Sequence, residues 1–122
     1  TNTSNLKNNY GMVALHDYTR KKQISSGLQF CGLIMGDHSK SGINTMFNTG
    51  TVVGVCANIF GAGFPPKFIR SFAWGGFDHE VYQVDKAIDV ASKVFLRRNK
   101  IFDQEEANLL RTLFELTKRE EA

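Results

Sequence analysis

From residue 35 to residue 64 the chain repeats its large, small and turn-forming residues with a period of six: MGDHSK, SGINTM, FNTGTV, VGVCAN, IFGAGF. The first place of each six holds Met35, Ser41, Phe47, Val53 and Ile59, the second Gly36, Gly42, Asn48, Gly54 and Phe60, and the fifth Ser39, Thr45, Thr51, Ala57 and Gly63. Neither a helix of period 3.6 nor a strand of period two gives that pattern. A sustained six-residue repeat predicts a parallel β-helix, in which each six supplies one short flat strand and a corner. Three sixes close one triangular turn, so residues eighteen apart stack: Met35 over Val53, Gly36 over Gly54, Ser39 over Ala57 and Ser41 over Ile59. The first place then points into the prism and the small fifth place fits where the wall bends. The second place, Gly or Asn in four of five, takes a positive φ that a Cβ makes costly.

Outside this segment the pattern changes three times. Residues 1–6 look like parts of two earlier sixes. Between about residues 10 and 27 the period is lost, and residues 11–17 and 23–26 read as the strands of an inserted β-hairpin with a basic tip at 18–22. Residues 27–34 re-enter the prism. Phe64, Pro65 and Pro66 should end it, since proline cannot donate to a parallel ladder. The aromatics crowded into residues 64–77 should then cap its open end. Beyond residue 78 the apolar spacing turns helical. Asp85 is the expected N-cap of a helix over residues 86–98, with Ala87, Ile88, Ala91, Val94 and Phe95 on one face. Asp103 with Glu106 forms a capping box for a second helix from residue 104 to about 119, whose apolar face is Ala107, Leu110, Leu113, Phe114 and Thr117. The expected organisation is a repeat domain over residues 1–77 and a helical extension over 78–122.

Composition narrows the function classes. No stretch is long and apolar enough to cross a bilayer, and no basic-then-apolar leader is present, so a cytoplasmic protein that does not enter a membrane is expected. The net charge of +3 lies before Pro65, where five Lys/Arg face two Asp/Glu, against ten and ten after it. That excess suits an anionic ligand but is too small to imply nucleic acid. Cys31 and Cys56 fall at different places of the period and read as reduced thiols. His16, His38 and His79 are scattered without metal-ligand spacing, so no metal is expected.

Three segments, Thr3-Ser4-Asn5-Leu6-Lys7-Asn8-Asn9-Tyr10-Gly11, Gly36-Asp37-His38-Ser39-Lys40-Ser41-Gly42-Ile43-Asn44-Thr45 and Asn48-Thr49-Gly50-Thr51, resemble a known family. Together with the repeats, they make about half of the chain similar to the left-handed β-helix hexapeptide-repeat transferases. The resemblance is to the C-terminal domain of sugar-1-phosphate nucleotidyltransferases that also carry an acetyltransferase, whose type is the bifunctional N-acetylglucosamine-1-phosphate uridylyltransferase/glucosamine-1-phosphate acetyltransferase. It implies a mainly β fold: a left-handed parallel β-helix of hexapeptide repeats with an inserted β-hairpin and a C-terminal pair of α-helices. It also implies a homotrimer, acetyl-CoA as acyl donor, a sugar phosphate or nucleotide sugar as substrate, and a nucleotidyltransferase domain upstream of Thr1.

Candidate site residues follow from that resemblance and from residue chemistry. Asn5, Lys7 and Asn44 are candidates for the sugar phosphate, as amide and ammonium donors. Arg20, Lys21 and Lys22 at the hairpin tip are candidates for the phosphates of the cofactor, and Ala57 and Gly61 for its close approach to backbone. His38 is the one histidine of the repeats able to take the acceptor's proton. In the family type, however, the histidine base and its partner tyrosine lie on a coil corresponding to one before Thr1. His38 therefore also reads as a corner residue. The competing function is a non-catalytic trimerisation and regulatory scaffold.

Overall fold

The chain visits three parallel ladders in turn. The computed structural model describes residues 2–4, 11–17, 20–77 and 80–121. Its strands are β1 (Asn2–Ser4), β2 (Ala14–Asp17), β3 (Lys22–Ser25), β4 (Leu33–Met35), β5 (Lys40–Ser41), β6 (Met46–Asn48), β7 (Thr51–Val53), β8 (Asn58–Ile59), β9 (Phe68–Ile69) and β10 (Trp74–Gly75). Two helices follow, α1 (Val84–Arg97) and α2 (Gln104–Glu121). The first wall has the order β4-β7-β9, the second β5-β8-β10 and the third β1-β6, all parallel. The architecture is thus short strands in parallel ladders, mainly β, with a C-terminal helix pair.

The register has the expected eighteen-residue step. Met35 pairs with Val53 and Ser41 with Ile59. Gly36 N–H donates to Val53 C=O at 2.9 Å, and Ser39 Oγ accepts the N–H of Ala57 at 3.0 Å while donating to Gly54 C=O at 2.7 Å. The inside is filled by Phe47, Val53 and Ile59 from the first place, Ala57 from the fifth, and Ile69 and Ala73 from the last turn. Thr45 and Thr51, also fifth-place residues, are buried and donate to the carbonyls of Gly42 and Asn48. Met35 is the exception. It lies on an edge strand and is 37 % exposed.

The corners correct the sequence reading. Positive φ does not fall on the second place but on the fourth: Gly32 (80°), His38 (61°), Asn44 (63°), Gly50 (82°) and Cys56 (56°), each six residues after the last. The second-place glycines answer a different demand. A Cβ on Gly36 would sit 2.6 Å from Gly54 O, and one on Gly54 would sit 2.5 Å from Ser71 N. Gly36 and Gly54 are glycines because the turns lie too close for a side chain, not because of backbone handedness, whereas a Cβ on Gly42 would meet nothing closer than 3.6 Å.

Pro65 and Pro66 do not end the winding on every wall. The third wall stops at β6, and the interval between β8 and β9, where its next strand would lie, contains Phe-Pro-Pro. The other two walls each gain one more strand after a sixteen-residue step, Val53 to Ile69 and Ile59 to Gly75. Proline removes a donor only where it stands, so one ladder is interrupted and two continue. The aromatics of residues 64–77 accordingly belong to a last turn rather than to a plug. Ile69 and Ala73 face inward, Phe68 stacks on His16 at 3.8 Å, and Phe72 faces the helices. Residues 80–82 close the outer edge of this turn, through an antiparallel bridge from Ala73 to Val81 and hydrogen bonds from Trp74 N–H to Glu80 C=O and Tyr82 N–H to Phe72 C=O.

Two of the three corners are covered. His38, Cys56 and Phe72 stack along the corner between the first and second walls, all with positive φ. Cys56 and Phe72 are buried there against Ala87, Ala91, Leu110 and Phe114 of the helix pair, and His38 stacks on Phe95 of α1 at 5.9 Å. Helix α1 starts at Val84, preceded by Gln83 without a side-chain cap, so Asp85 is not the N-cap. Asp85 instead lies in the first turn and binds Arg111 at 2.7 Å. Asp103 does cap α2, its Oδ1 accepting Glu106 N–H at 3.0 Å.

The hairpin β2–β3, antiparallel from Ala14–Ser25 to Asp17–Lys22, covers the corner between the third and first walls. Val13 lies where a Cβ on Gly50 would be, and Lys67 Nζ donates to Ala14 C=O at 3.0 Å. The insertion separates Asn2 from its partner Met46 by 44 residues, 26 more than a regular turn of eighteen.

Candidate functional site

The third corner, between the second and third walls, carries neither helix nor hairpin among the described residues. Ile43 there is 94 % exposed. One turn on, the chain leaves β8 through Phe60, Gly61 and Ala62, and the last turn adds Trp74, Gly75, Phe77 and Glu80. These seven residues line an open cleft of about 490 Å³, within the size range of small-molecule sites.

The cleft is built by close backbone approach. Phe60 breaks the second-place rule of Gly or Asn, and the residue sixteen positions on is Gly76. Gly61, with φ of 129°, lies against Phe77, whose ring an added Cβ would meet at 3.0 Å. Phe60 and Trp74 stand edge to face, 5.4 Å between centroids at 78°, and Tyr82 lies tilted by 35° against the indole at 5.2 Å. Phe60, Trp74 and Phe77 nevertheless remain 45, 40 and 40 % exposed. Large aromatic faces held half in water are a characteristic of binding surfaces. Among the described residues of the lining, Glu80 has the single titratable side chain. Its carbonyl, held by Trp74 N–H at 3.1 Å and Arg70 Nη2 at 2.8 Å, fixes the segment in place.

The residues singled out in the sequence are dispersed. Gly61 lines the cleft, and Asn44 sits exposed at the same corner one turn earlier. Arg20, Lys21 and Lys22 are exposed at the hairpin tip, over a different wall, with Arg20 beside Asp17 at 3.7 Å. His38 is at the helix-covered corner. Ala57 is fully enclosed, its N–H donating to Ser39 Oγ and its carbonyl accepting Lys40 N–H, so it offers a cofactor nothing. Asn5, Lys7 and His79 lie outside the described residues. Cys31 and Cys56 are free thiols, and burial pushes the Cys56 pKa up to about 11. Burial also raises Tyr82, followed by the neighbouring Cys56 and Asp89.

No family model, curated protein or solved structure matches this chain. Fold and cleft geometry therefore carry the functional reading by themselves. Sequence reasoning missed Phe60, Trp74, Phe77 and Glu80 as a group. The available signal was Phe60, the one bulky residue at a second place, together with Trp74-Gly75-Gly76 sixteen residues after Asn58-Ile59-Phe60. Among the described residues no three of His, Cys, Asp and Glu gather as a metal site, and no helix is long and apolar enough to cross a membrane.

Proposed function

We propose that this chain is the C-terminal hexapeptide-repeat domain of a sugar-1-phosphate nucleotidyltransferase, wound as a left-handed parallel β-helix and assembled as a homotrimer. Its acyl donor is acetyl-CoA, its acceptor is an amino-sugar phosphate, and its compartment is the cytoplasm. The observation that supports this reading is the eighteen-residue parallel register, Met35 on Val53 and Ser41 on Ile59. The bare corner with Ile43, Phe60 and Phe77 gives the trimer an apolar contact surface. The aromatic cleft beside it offers rings and glycine backbone to a planar group.

The fit to coenzyme A is partial. Aromatic faces and Gly61 suit a nucleobase, but the described lining holds no cation for phosphate, and Arg20, Lys21 and Lys22 stand over another wall of the same chain. Arg70, whose Nη2 donates to Glu80 C=O at 2.8 Å, brings a cation of the same chain beside the lining. When bound, acetyl-CoA supplies the activated acyl group. The cleft residues would hold and orient it.

His38 supports a second reading, the non-catalytic scaffold. Its left-handed backbone and its stack on Phe95 make it a corner residue beneath α1, away from the cleft. Calorimetry of the full-length protein with acetyl-CoA, combined with an acetylation assay on glucosamine-1-phosphate, tests the choice. Binding and turnover support the transferase. Neither, in a trimer, leaves the scaffold.

A further inference from the structure

The turn that joins α1 to α2 is exposed along its whole length. Leu96, Arg97, Arg98, Asn99, Lys100 and Ile101 follow one another without a buried residue among them. Leu96 is 74 % and Ile101 87 % exposed, and among the described large hydrophobic side chains only Ile43 is more exposed than Ile101. Between these two aliphatics stand three cations, none of them in an ion pair among the described residues, while neighbouring Lys93 is taken up by Asp89 at 3.0 Å. The carboxylates that follow, Asp103, Glu105 and Glu106, belong to the start of α2, whose N-terminal pole favours them.

The backbone of this turn is held in place. Asn99, left-handed with φ of 57°, donates its N–H to Leu96 C=O at 3.1 Å, and Arg98 and Lys100 both donate to Phe95 C=O, at 3.0 and 2.9 Å. Behind it Phe95 and Phe102 meet edge to face, 5.1 Å between centroids, and Phe95 also stacks on His38. Neither Leu96 nor Ile101 belongs to the apolar cluster that seats the helices. The helix dipole accounts for cations at the end of α1, but not for two bare aliphatics beside them, whose hydration is a cost that a partner removes.

The partner that fits offers anionic groups and, directly beneath them, hydrocarbon. Nucleic acid supplies the first and leaves Leu96 and Ile101 in water. A phospholipid surface supplies both, and the long Arg and Lys stems can lie along its boundary with their charged ends among the phosphates. We infer that the α1–α2 turn docks this protein on an anionic phospholipid surface, with Leu96 and Ile101 at the acyl boundary and Arg97, Arg98 and Lys100 among the headgroups. The contact is peripheral, since among the described residues no helix is long and apolar enough to cross a membrane. It does not rest on the transferase reading.

Flotation of the full chain with vesicles of phosphatidylcholine and phosphatidylglycerol, against vesicles of phosphatidylcholine alone, tests this. Binding is expected to the anionic vesicles only and to weaken as salt is raised. Each cation is expected to contribute roughly fivefold to the affinity, so R97Q/R98Q/K100Q should abolish flotation. The aliphatic variant L96S/I101S should weaken it by roughly tenfold or more, and R20Q/K21Q/K22Q at the other basic turn should leave it unchanged. The substituted positions of the α1–α2 turn are exposed, and circular dichroism melts verify that the variants fold. No flotation of the unsubstituted chain, or flotation that both variants of this turn leave intact, overturns the inference. Flotation that ignores L96S/I101S, with equally tight binding to single-stranded RNA, overturns lipid in favour of nucleic acid. Self-association without flotation, lost in L96S/I101S, overturns it in favour of a second copy of this chain.

Discussion

Replacing Gly54 with alanine puts the close stacking of the turns to a quantitative test. The backbone there does not have positive φ, so the cost comes from space alone. The new Cβ would lie 2.5 Å from Ser71 N and 2.8 Å from Ser71 Cα, and against Ser71 Oγ, where an ordinary contact needs at least 3.4 Å. The second and last turns of that corner must therefore part by most of an ångström. Two bonds are strained in doing so, Gly54 N–H to Ile69 C=O at 2.8 Å and Val55 N–H to Ser71 Oγ at 2.9 Å. Overpacking of this kind costs about 1–3 kcal/mol, and weakening the two hydrogen bonds adds about 1 kcal/mol. Restricting the unfolded chain returns about 0.4–1 kcal/mol. A net loss of about 2–3 kcal/mol should lower Tm by roughly 6–15 °C for a chain of this size. Gly42→Ala is the matched control, because its Cβ meets nothing closer than 3.6 Å, and it should be neutral or stabilising by up to about 1 kcal/mol. Thermal melts followed by circular dichroism at one fixed protein concentration compare the two. Equal melting temperatures for both variants would refute the stacking geometry.

Three further outcomes are expected. Ser39→Ala leaves Gly54 C=O and Ala57 N–H without the hydroxyl that bridges them, and urea denaturation should show a loss of about 1–3 kcal/mol; no change would mean water replaces the hydroxyl. The Cys56 thiol has its folded pKa raised from 9.0 to about 11 by burial, so its contribution to stability is complete below pH 9 and is lost as pH rises through 11; the fall in stability across that window should be smaller in Cys56→Ala, and an identical fall would contradict the assignment. Phe114→Ala removes the ring that meets Phe72 edge-on at 5.1 Å and should cost about 3–5 kcal/mol in chemical denaturation, whereas a change below about 1 kcal/mol would mean the helix pair is not seated on the Cys56–Phe72 corner.

The winding was legible because a flat wall imposes the same demand every six residues and an inward side chain must be large at Phe47, Val53 and Ile59 alike. The location of the left-handed residues was not. Glycine at the second place answers crowding at Gly36 and Gly54, glycine at the fourth answers φ at Gly32 and Gly50, and the two demands look the same in a sequence. His38 and Cys56 further concealed the fourth place, since their side chains are kept there for the helix pair to cover. The prolines misled for a related reason: a missing N–H interrupts one ladder, and the sequence does not say which walls resume. Gly61 and Ala57 looked equivalent in the sequence because both lack bulk, yet Gly61 lines the cleft and Ala57 faces the closed interior. Trp74, Phe77 and Glu80 were not legible as partners of Phe60 because a sixteen-residue step outside the six-residue period brings them together.

Scalar couplings across hydrogen bonds, measured by NMR on deuterated protein, test the winding most directly. Parallel winding requires couplings from the amide nitrogen of Gly36 to the carbonyl carbon of Val53, from Lys40 to Ala57, from Gly42 to Ile59 and from Gly50 to Gly32. Couplings that instead join residues four apart, or that pair these segments antiparallel, would contradict it.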